Sequence, residues 1–120
     1  DNRSSTKTNK SVSCSTVNLQ GTTEYFTAQC HRLSTLMEQQ GDANVDLLKM
    51  DIEGGEYVVI SDMVAAGLLP RILLIEFDEA HTPMDDGAGA RIKAHIDKLV
   101  GAGMRCVAVE ASNATFVKSR

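Results

Sequence analysis

The run of residues 45–57, VDLLKMDIEGGEY, is the feature of this sequence that most constrains its fold. It begins as a near-continuous apolar stretch, which is typical of a parallel strand that is covered on both faces. The glycine pair at positions 54–55 then interrupts the strand. A helix is predicted over residues 56–66, because Gly67 and Pro70 follow as stop signals.

A second segment repeats this pattern. Residues 71–78 have an apolar core and turn acidic at their end, so they are predicted to form the next strand. The elements predicted downstream are a loop over residues 81–89, a helix that starts at Ala90, and two strands over residues 104–110 and 115–118. The link between the last two strands is short enough for a hairpin, so this pair should be antiparallel. Alternating strands and helices predict an α/β sheet with right-handed crossovers.

The amino-terminal part of the chain gives a weaker pattern. Residues 1–11 are polar and are expected to form a disordered tail, since they hold too little apolar area to offset the entropy of ordering. Residues 12–19 and 24–30 favour β-structure and predict a hairpin around Gly21. The chain is too short for a second domain, so residues 12–120 are expected to form a single α/β domain or half-domain.

A capping box marks the first predicted helix. The Thr35 hydroxyl would accept a hydrogen bond from the backbone N–H of Glu38, and the Glu38 carboxylate would reach back to the start of the helix. Gly41 then ends this short helix.

Composition disfavours several classes of function. The formal net charge is −4 and the isoelectric point is about 5.3, which leaves no basic field for general attraction to nucleic acid or to an anionic membrane. The longest apolar runs are too short to span a bilayer, and a cytoplasmic location is expected. Cys14, Cys30 and Cys106 lie too far apart for a structural zinc site, and their odd number favours free thiols.

The carboxyl ends of the predicted strands are acidic, and ligands of open α/β sheets bind at that edge. Asp51 and Glu53 end the first strand, and Glu76 ends the second. Lys49, Asp51 and Glu53 would point to one face if the extended geometry persisted. One interpretation is a structural network in which Lys49 pairs with the acids. The other is a carboxylate whose pKa is tuned to take a proton from a substrate hydroxyl. Glu56 is interpreted as a favourable charge at the start of the next helix.

A metal site is a further interpretation of the same acids. Asp51, Glu53 and Glu76 could bind Mg²⁺ through their oxygen atoms. His81 is interpreted as a loop residue and His95 as a half-buried helix residue, so no metal ligand is assigned. The nucleotide-binding patterns G-x-G-x-x-G and G-x-x-x-x-G-K-[ST] do not occur in the sequence.

The run VDLLKMDIEGGEY resembles the hallmark of the FkbM-type methyltransferases, which has the sense vDlLKiDvEGaE. The helix that contains Thr35 is similar to the family's tLd helix. Residues 72–77 are similar to the family's next strand, which likewise ends in glutamate. The resemblance covers about residues 30–110, with a weaker fit upstream.

The resemblance implies a Rossmann-like sheet and the transfer of a methyl group from S-adenosylmethionine to a hydroxyl of a small molecule or glycan. It assigns Asp51, Glu53 and Glu76 as the catalytic candidates. The strand and glycine-rich loop that hold the cofactor in such enzymes have no counterpart in this sequence, so no cofactor-binding residue is assigned. The chain therefore resembles the carboxyl-terminal half of the fold, about strands four to seven, and is expected to be inactive alone.

A half-sheet of this kind would leave the first predicted strand, residues 45–52, with an unpaired apolar edge. We expect this edge to pair with a second copy in a homodimer or to be covered by residues 12–30. Two alternatives to a methyltransferase stay open from the residues alone. One is a non-catalytic α/β binding or assembly module, and the other is a Mg²⁺-dependent phosphoryl-handling domain that uses the acidic strand ends. Neither nucleic acid nor a membrane is an expected partner.

Overall fold

The computed structural model describes Thr23 and residues 25–120 of the chain. Helices and strands alternate along this part, as the sequence predicts. In chain order they are helix α1 (Leu33–Gln40), strand β1 (Leu47–Met50), helix α2 (Glu56–Ala66), strand β2 (Ile72–Glu76), a 3-10 turn (Asp78–Ala80), helix α3 (Ala88–Gly101), strand β3 (Met104–Glu110) and strand β4 (Asn113–Lys118).

The four strands form one mixed sheet in the order β1-β2-β4-β3. Strands β1 and β2 are parallel, with Leu47 opposite Ile72, because α2 crosses between them. Strand β4 is antiparallel to both of its neighbours, β2 and β3. The predicted α/β sheet with an antiparallel last pair is therefore confirmed, and the carboxyl ends of β1 and β2 lie at the same edge of the sheet.

The core lies between one face of the sheet and helices α2 and α3. Alternate residues of β2 and β4 point to this face, and Leu73, Ile75 and Phe116 are at most 1% exposed. Ile60 of α2 and Leu99 of α3 pack against them and are fully buried. Removal of this apolar surface from water holds the helices on the sheet.

The opposite face of the sheet is open among the described residues, which corrects one prediction. Strand β1 was expected to be covered on both faces, but Leu47 is 58% exposed and Lys49 is also exposed. Ile72 beside Leu47 is 40% exposed. Apolar runs predict burial on both faces only when chain is available to cover both, and within residues 25–120 helices α2 and α3 lie on one face only.

Helix ends agree with the sequence where glycine sets them and differ elsewhere. Gly41 and Gly67 end α1 and α2 in the left-handed conformation, with φ of 76° and 67°. The capping box at Thr35 is wrong, because α1 starts at Leu33 and its first turn already contains Thr35. Helix α3 starts at Ala88, two residues before the predicted start at Ala90.

The amino-terminal predictions fall mostly outside the described residues. This applies to the tail over residues 1–11 and to the predicted strand over residues 12–19. The second predicted strand, residues 24–30, is described from Tyr25 onward. Residues 25–30 form no strand there and are exposed, so that prediction is wrong for the described part.

Within residues 25–120, no helix combines the length and apolar character needed to cross a bilayer.

Candidate functional site

The three predicted site acids lie at the carboxyl ends of β1 and β2. Asp51 follows directly after β1 and is exposed, whereas Glu53 lies in the following turn and is half-buried. Glu76 is the last residue of β2 and borders a cavity of about 120 Å³ on the open face of the sheet. The parallel pairing of β1 with β2 brings these side chains to one edge.

The turn between β1 and α2 is organised by Glu56. This side chain is only 2% exposed, and its carboxylate accepts hydrogen bonds from the backbone N–H groups of Ile52 at 3.1 Å and Gly54 at 2.9 Å. The negative charge also lies in the first turn of α2, where the helix dipole stabilises it, as predicted. The larger role is one that the sequence does not show: Glu56 fixes the shape of the turn that carries Asp51 and Glu53.

The extended geometry on which the alignment of Lys49, Asp51 and Glu53 depends does not persist past Met50. The strand ends at Met50, and Glu53 has a φ of 47°, a left-handed conformation that is unfavourable for a residue with a Cβ. Gly54 follows with a φ of 106°. Lys49 is exposed and forms no ion pair within the described part of the chain, so the predicted pairing of Lys49 with the acids is not seen.

Asp78 joins the acids of the site, although its sequence position two residues after Glu76 gives it no distinct role. The pKa of Asp78 is raised from 3.8 to about 6. Burial is the largest cause, and the nearby carboxylates of Glu56, Glu53 and Glu76 add to it. The contact of the Asp78 carboxyl with Glu56 is the strongest of these charge effects. The buried Oδ2 atom of Asp78 accepts no hydrogen bond from a described donor. We call Glu53, Glu56, Glu76 and Asp78 the acidic cluster.

An ion pair between the buried residue Glu79 and the half-buried Arg91 holds the 3-10 turn that carries Asp78. The carboxylate of Glu79, 4% exposed, accepts hydrogen bonds from Arg91 Nε at 2.8 Å and Arg91 Nη2 at 2.6 Å. It also accepts one from the backbone N–H of Met84 at 3.1 Å. The Arg91 guanidinium holds the pKa of Glu79 down at about 2, well below its ordinary value. Because Asp78 and Glu79 are consecutive, this pair fixes Asp78 relative to α3.

Tyr57 connects the same turn to α2 and α3. Its ring lies 6.4 Å from the ring of Phe77 and 4.5 Å from that of His95. Its hydroxyl donates to Glu79, and burial together with this carboxylate raises the pKa of Tyr57. His95 is half-buried, as predicted, and its Nδ1 lies 2.7 Å from the carbonyl oxygen of Arg91.

A hydrogen-bonded chain joins Glu76 to the loop after β2. The Ser112 hydroxyl donates to Glu76 Oε1 at 3.3 Å, and Nε2 of His81 lies 2.7 Å from Ser112 Oγ. Ser112 lies in the β3–β4 turn and is 4% exposed. From sequence, Ser112 is only part of a hairpin link and His81 only a loop residue, because contacts across 31 residues leave no local pattern.

The Mg²⁺ interpretation concerns how closely the acids approach one another. Among the residues that the structure describes, no group of three or more histidine, cysteine, aspartate or glutamate side chains could hold a metal ion. The Mg²⁺ interpretation of Asp51, Glu53 and Glu76 therefore gains no support from the geometry.

The fold and the site together define an α/β domain whose polar groups gather beyond the carboxyl ends of parallel strands, where ligands of such sheets bind. A family model described as the methyltransferase FkbM domain matches residues 2–111. The chain belongs to the FkbM methyltransferase family. Neither the curated proteins nor the solved structures contain a match to it.

The family match confirms the resemblance and is wider than it. The resemblance covers about residues 30–110, whereas the match starts at residue 2, so the amino-terminal segment belongs to the matched domain. The mixed four-stranded sheet with its flanking helices is consistent with part of a methyltransferase-like fold. The family suggests use of S-adenosylmethionine. The catalytic roles of Asp51, Glu53 and Glu76 stay predictions.

Proposed function

We propose that this chain provides the acceptor side of an O-methyltransferase site, in which a methyl group passes from S-adenosylmethionine to a hydroxyl of a small molecule or glycan. The observation that carries the proposal is the gathering of acids at the carboxyl ends of β1 and β2 in a chain of the FkbM family. Ligands of open α/β sheets bind beyond those ends. Carboxylates there can orient an acceptor hydroxyl and draw off its proton.

The proposed roles follow from exposure and charge. Asp51 is exposed, so its carboxylate can accept a hydrogen bond from an acceptor hydroxyl. Glu53 and Glu76 are half-buried and add negative charge around Asp78. Their charges raise the pKa of the Asp78 carboxyl, which makes its carboxylate a stronger base toward an acceptor hydroxyl.

The described residues offer complementary groups to the sulfonium end of S-adenosylmethionine but not to its nucleotide end. When bound, S-adenosylmethionine supplies the methyl group from a cationic sulfonium, and the acidic cluster offers the opposite charge. No described strand is followed by a G-x-G-x-x-G loop that could hold the nucleotide end. We therefore propose that the 120 residues alone bind the donor weakly and do not turn over.

The test uses the full-length gene product that contains these residues. Asp51→Ala is expected to lower turnover about 100-fold or more, because a misplaced reacting hydroxyl costs about that much. The dissociation constant for S-adenosylmethionine, measured by calorimetry, should change less than about twofold. Turnover is followed as S-adenosylhomocysteine formed with monosaccharides and glycerol as hydroxyl probes.

Asp86→Ala is the matched control, because Asp86 is an exposed aspartate in the loop after β2. It should leave turnover unchanged. Unchanged turnover in Asp51→Ala as well would assign Asp51 to the scaffold. Tight binding of S-adenosylmethionine by the 120-residue chain would contradict the proposal that its nucleotide end is held elsewhere.

We further propose that the free edge of β1 mediates a homodimer. Within the described residues β1 pairs only with β2, and the Leu47 side chain beside this edge is 58% exposed. Leu47→Lys should convert a dimer to a monomer in sedimentation-velocity experiments, since a charge at an apolar edge strand opposes pairing. Val109→Lys, on the other edge strand at a residue 68% exposed, should remain dimeric. A monomer for the unaltered chain contradicts this proposal.

A further inference from the structure

Two side-chain contacts join Glu76 to Ser112 and Ser112 to His81. A serine hydroxyl carries one hydrogen, and the Ser112 hydroxyl donates it to Glu76 Oε1. In this arrangement the Ser112 oxygen accepts from His81 Nε2, 2.7 Å away. The matching neutral tautomer of His81 carries its proton on Nε2 and leaves Nδ1 unprotonated.

Both ends of this hydrogen-bonded chain are held by backbone hydrogen bonds. The N–H of Phe77 donates to the carbonyl oxygen of Ser112 at 2.9 Å, which ties the β3–β4 turn to the end of β2. The N–H of His81 donates to the carbonyl oxygen of Asp78 at 2.9 Å, which closes the 3-10 turn. Ser112 is buried, whereas His81 is exposed and its Nδ1 forms no hydrogen bond within residues 25–120.

We propose that His81 accepts the proton of the acceptor hydroxyl, and that Ser112 and Glu76 are positioning residues that set its tautomer and orientation. This inference rests on the proposed function and divides the roles within it. His81 removes the proton, and Asp51 and Glu53 orient the hydroxyl.

The step balances without a further reactant. The acceptor oxygen forms a bond to the methyl carbon of the sulfonium donor, the carbon–sulfur bond breaks, and its electron pair stays on sulfur. The hydroxyl proton moves to Nδ1 of His81. The resulting imidazolium donates from Nε2 to Ser112, whose hydroxyl faces the negative charge of Glu76. His81 is exposed and then releases the proton to water.

The test again uses the full-length gene product with S-adenosylmethionine, and with monosaccharides and glycerol as hydroxyl probes. His81→Gln should lower kcat about 100-fold or more and leave donor binding within about twofold. Ser112→Ala should lower kcat with little change in KM, and Ser112→Thr, which keeps the hydroxyl, should restore most of it. His31→Gln, at an exposed histidine outside the site, should match the unaltered protein.

A second measurement, which does not depend on turnover, reports the hydrogen bond that orients the His81 ring. In ¹H–¹⁵N spectra of the imidazole groups, the Nε2–H of His81 should be visible because its hydrogen bond slows exchange with water. Ser112→Ala should remove this signal. Normal turnover in His81→Gln, or a His81 signal that Ser112→Ala leaves in place, would overturn the inference alone. A complete lack of turnover in the unaltered protein with these probes would overturn the proposed function, and the role of His81 with it.

Discussion

Replacement of Arg91 by alanine is expected to lower the free energy of unfolding clearly more than removal of an exposed ion pair does, because it leaves the carboxylate of the buried residue Glu79 without its charged partner. The Glu79 side chain is 2% exposed and accepts two hydrogen bonds from the Arg91 guanidinium. Without Arg91, the Glu79 carboxylate accepts only from the Met84 N–H and the Tyr57 hydroxyl, and two such donors do not compensate the cost of burying its charge. Urea denaturation at pH 7, followed by far-ultraviolet circular dichroism, measures the loss.

The same pair has a defined pH dependence. The pKa of Glu79 is lowered from 4.5 to about 2, so its contribution is present above pH 4.5 and is lost as pH falls toward 2. In Arg91→Ala the loss of stability between pH 4.5 and pH 2 should be smaller, because arginine no longer stabilises the negative charge of Glu79. A comparison of urea midpoints at pH 7 and pH 3 in the two proteins checks the sign.

Lys93→Ala is the control for this prediction. It removes an exposed pair with Asp97 on the same helix, whose atoms are 2.6 Å apart, and should cost less than about 0.5 kcal/mol. If Arg91→Ala fails to fold, the double variant Glu79→Leu/Arg91→Met removes both charges and should recover much of the stability. An Arg91→Ala protein as stable as Lys93→Ala would contradict the assignment of a stabilising ion pair between Glu79 and Arg91.

Glu56→Ala is expected to lower the free energy of unfolding by about 2–4 kcal/mol, since the N–H groups of Ile52 and Gly54 both lose their acceptor. The same change removes a negative charge beside Asp78. The pKa of Asp78 should therefore fall from about 6 toward its ordinary value of 3.8. Denaturation measures the first effect, and a ¹³C titration of the Asp78 carboxyl measures the second.

Two further variants make this prediction specific. Glu56→Gln keeps one carbonyl oxygen at the turn and should give an intermediate loss of stability. Glu38→Ala, at an exposed glutamate of α1, should change stability by no more than about 0.5 kcal/mol and leave Asp78 unchanged. An unshifted Asp78 titration in Glu56→Ala would show that the two carboxyls do not interact.

The sequence predicts the elements of this fold well where local signals decide them. Helix α2 has its predicted bounds, because glycine stands on both sides of it, and the β3–β4 hairpin follows from two apolar runs with a short link. The exposure of β1 could not be predicted. The sequence of an apolar strand is the same whether its second face is covered or open. Coverage depends on other segments of the chain.

The site is predictable only in part, for a similar reason. Acids at strand ends are visible in the sequence, and Asp51, Glu53 and Glu76 do lie at one edge of the sheet. The left-handed conformation of Glu53 is not visible, because it results from the turn that closes around the Glu56 carboxylate. The contacts of Ser112 with Glu76 and His81 span 36 and 31 residues and depend on the strand order.

That strand order also governs how the domain can be assembled during synthesis. Of the four described strands β4 is synthesised last, yet it lies in the interior of the sheet, between β2 and β3. Until it emerges, β2 has a vacant side and β3 has no strand to join among the described residues. A chain that stops short of Phe116 holds three of the described strands without the residues that join β2 to β3, and we expect it to expose apolar surface that favours aggregation.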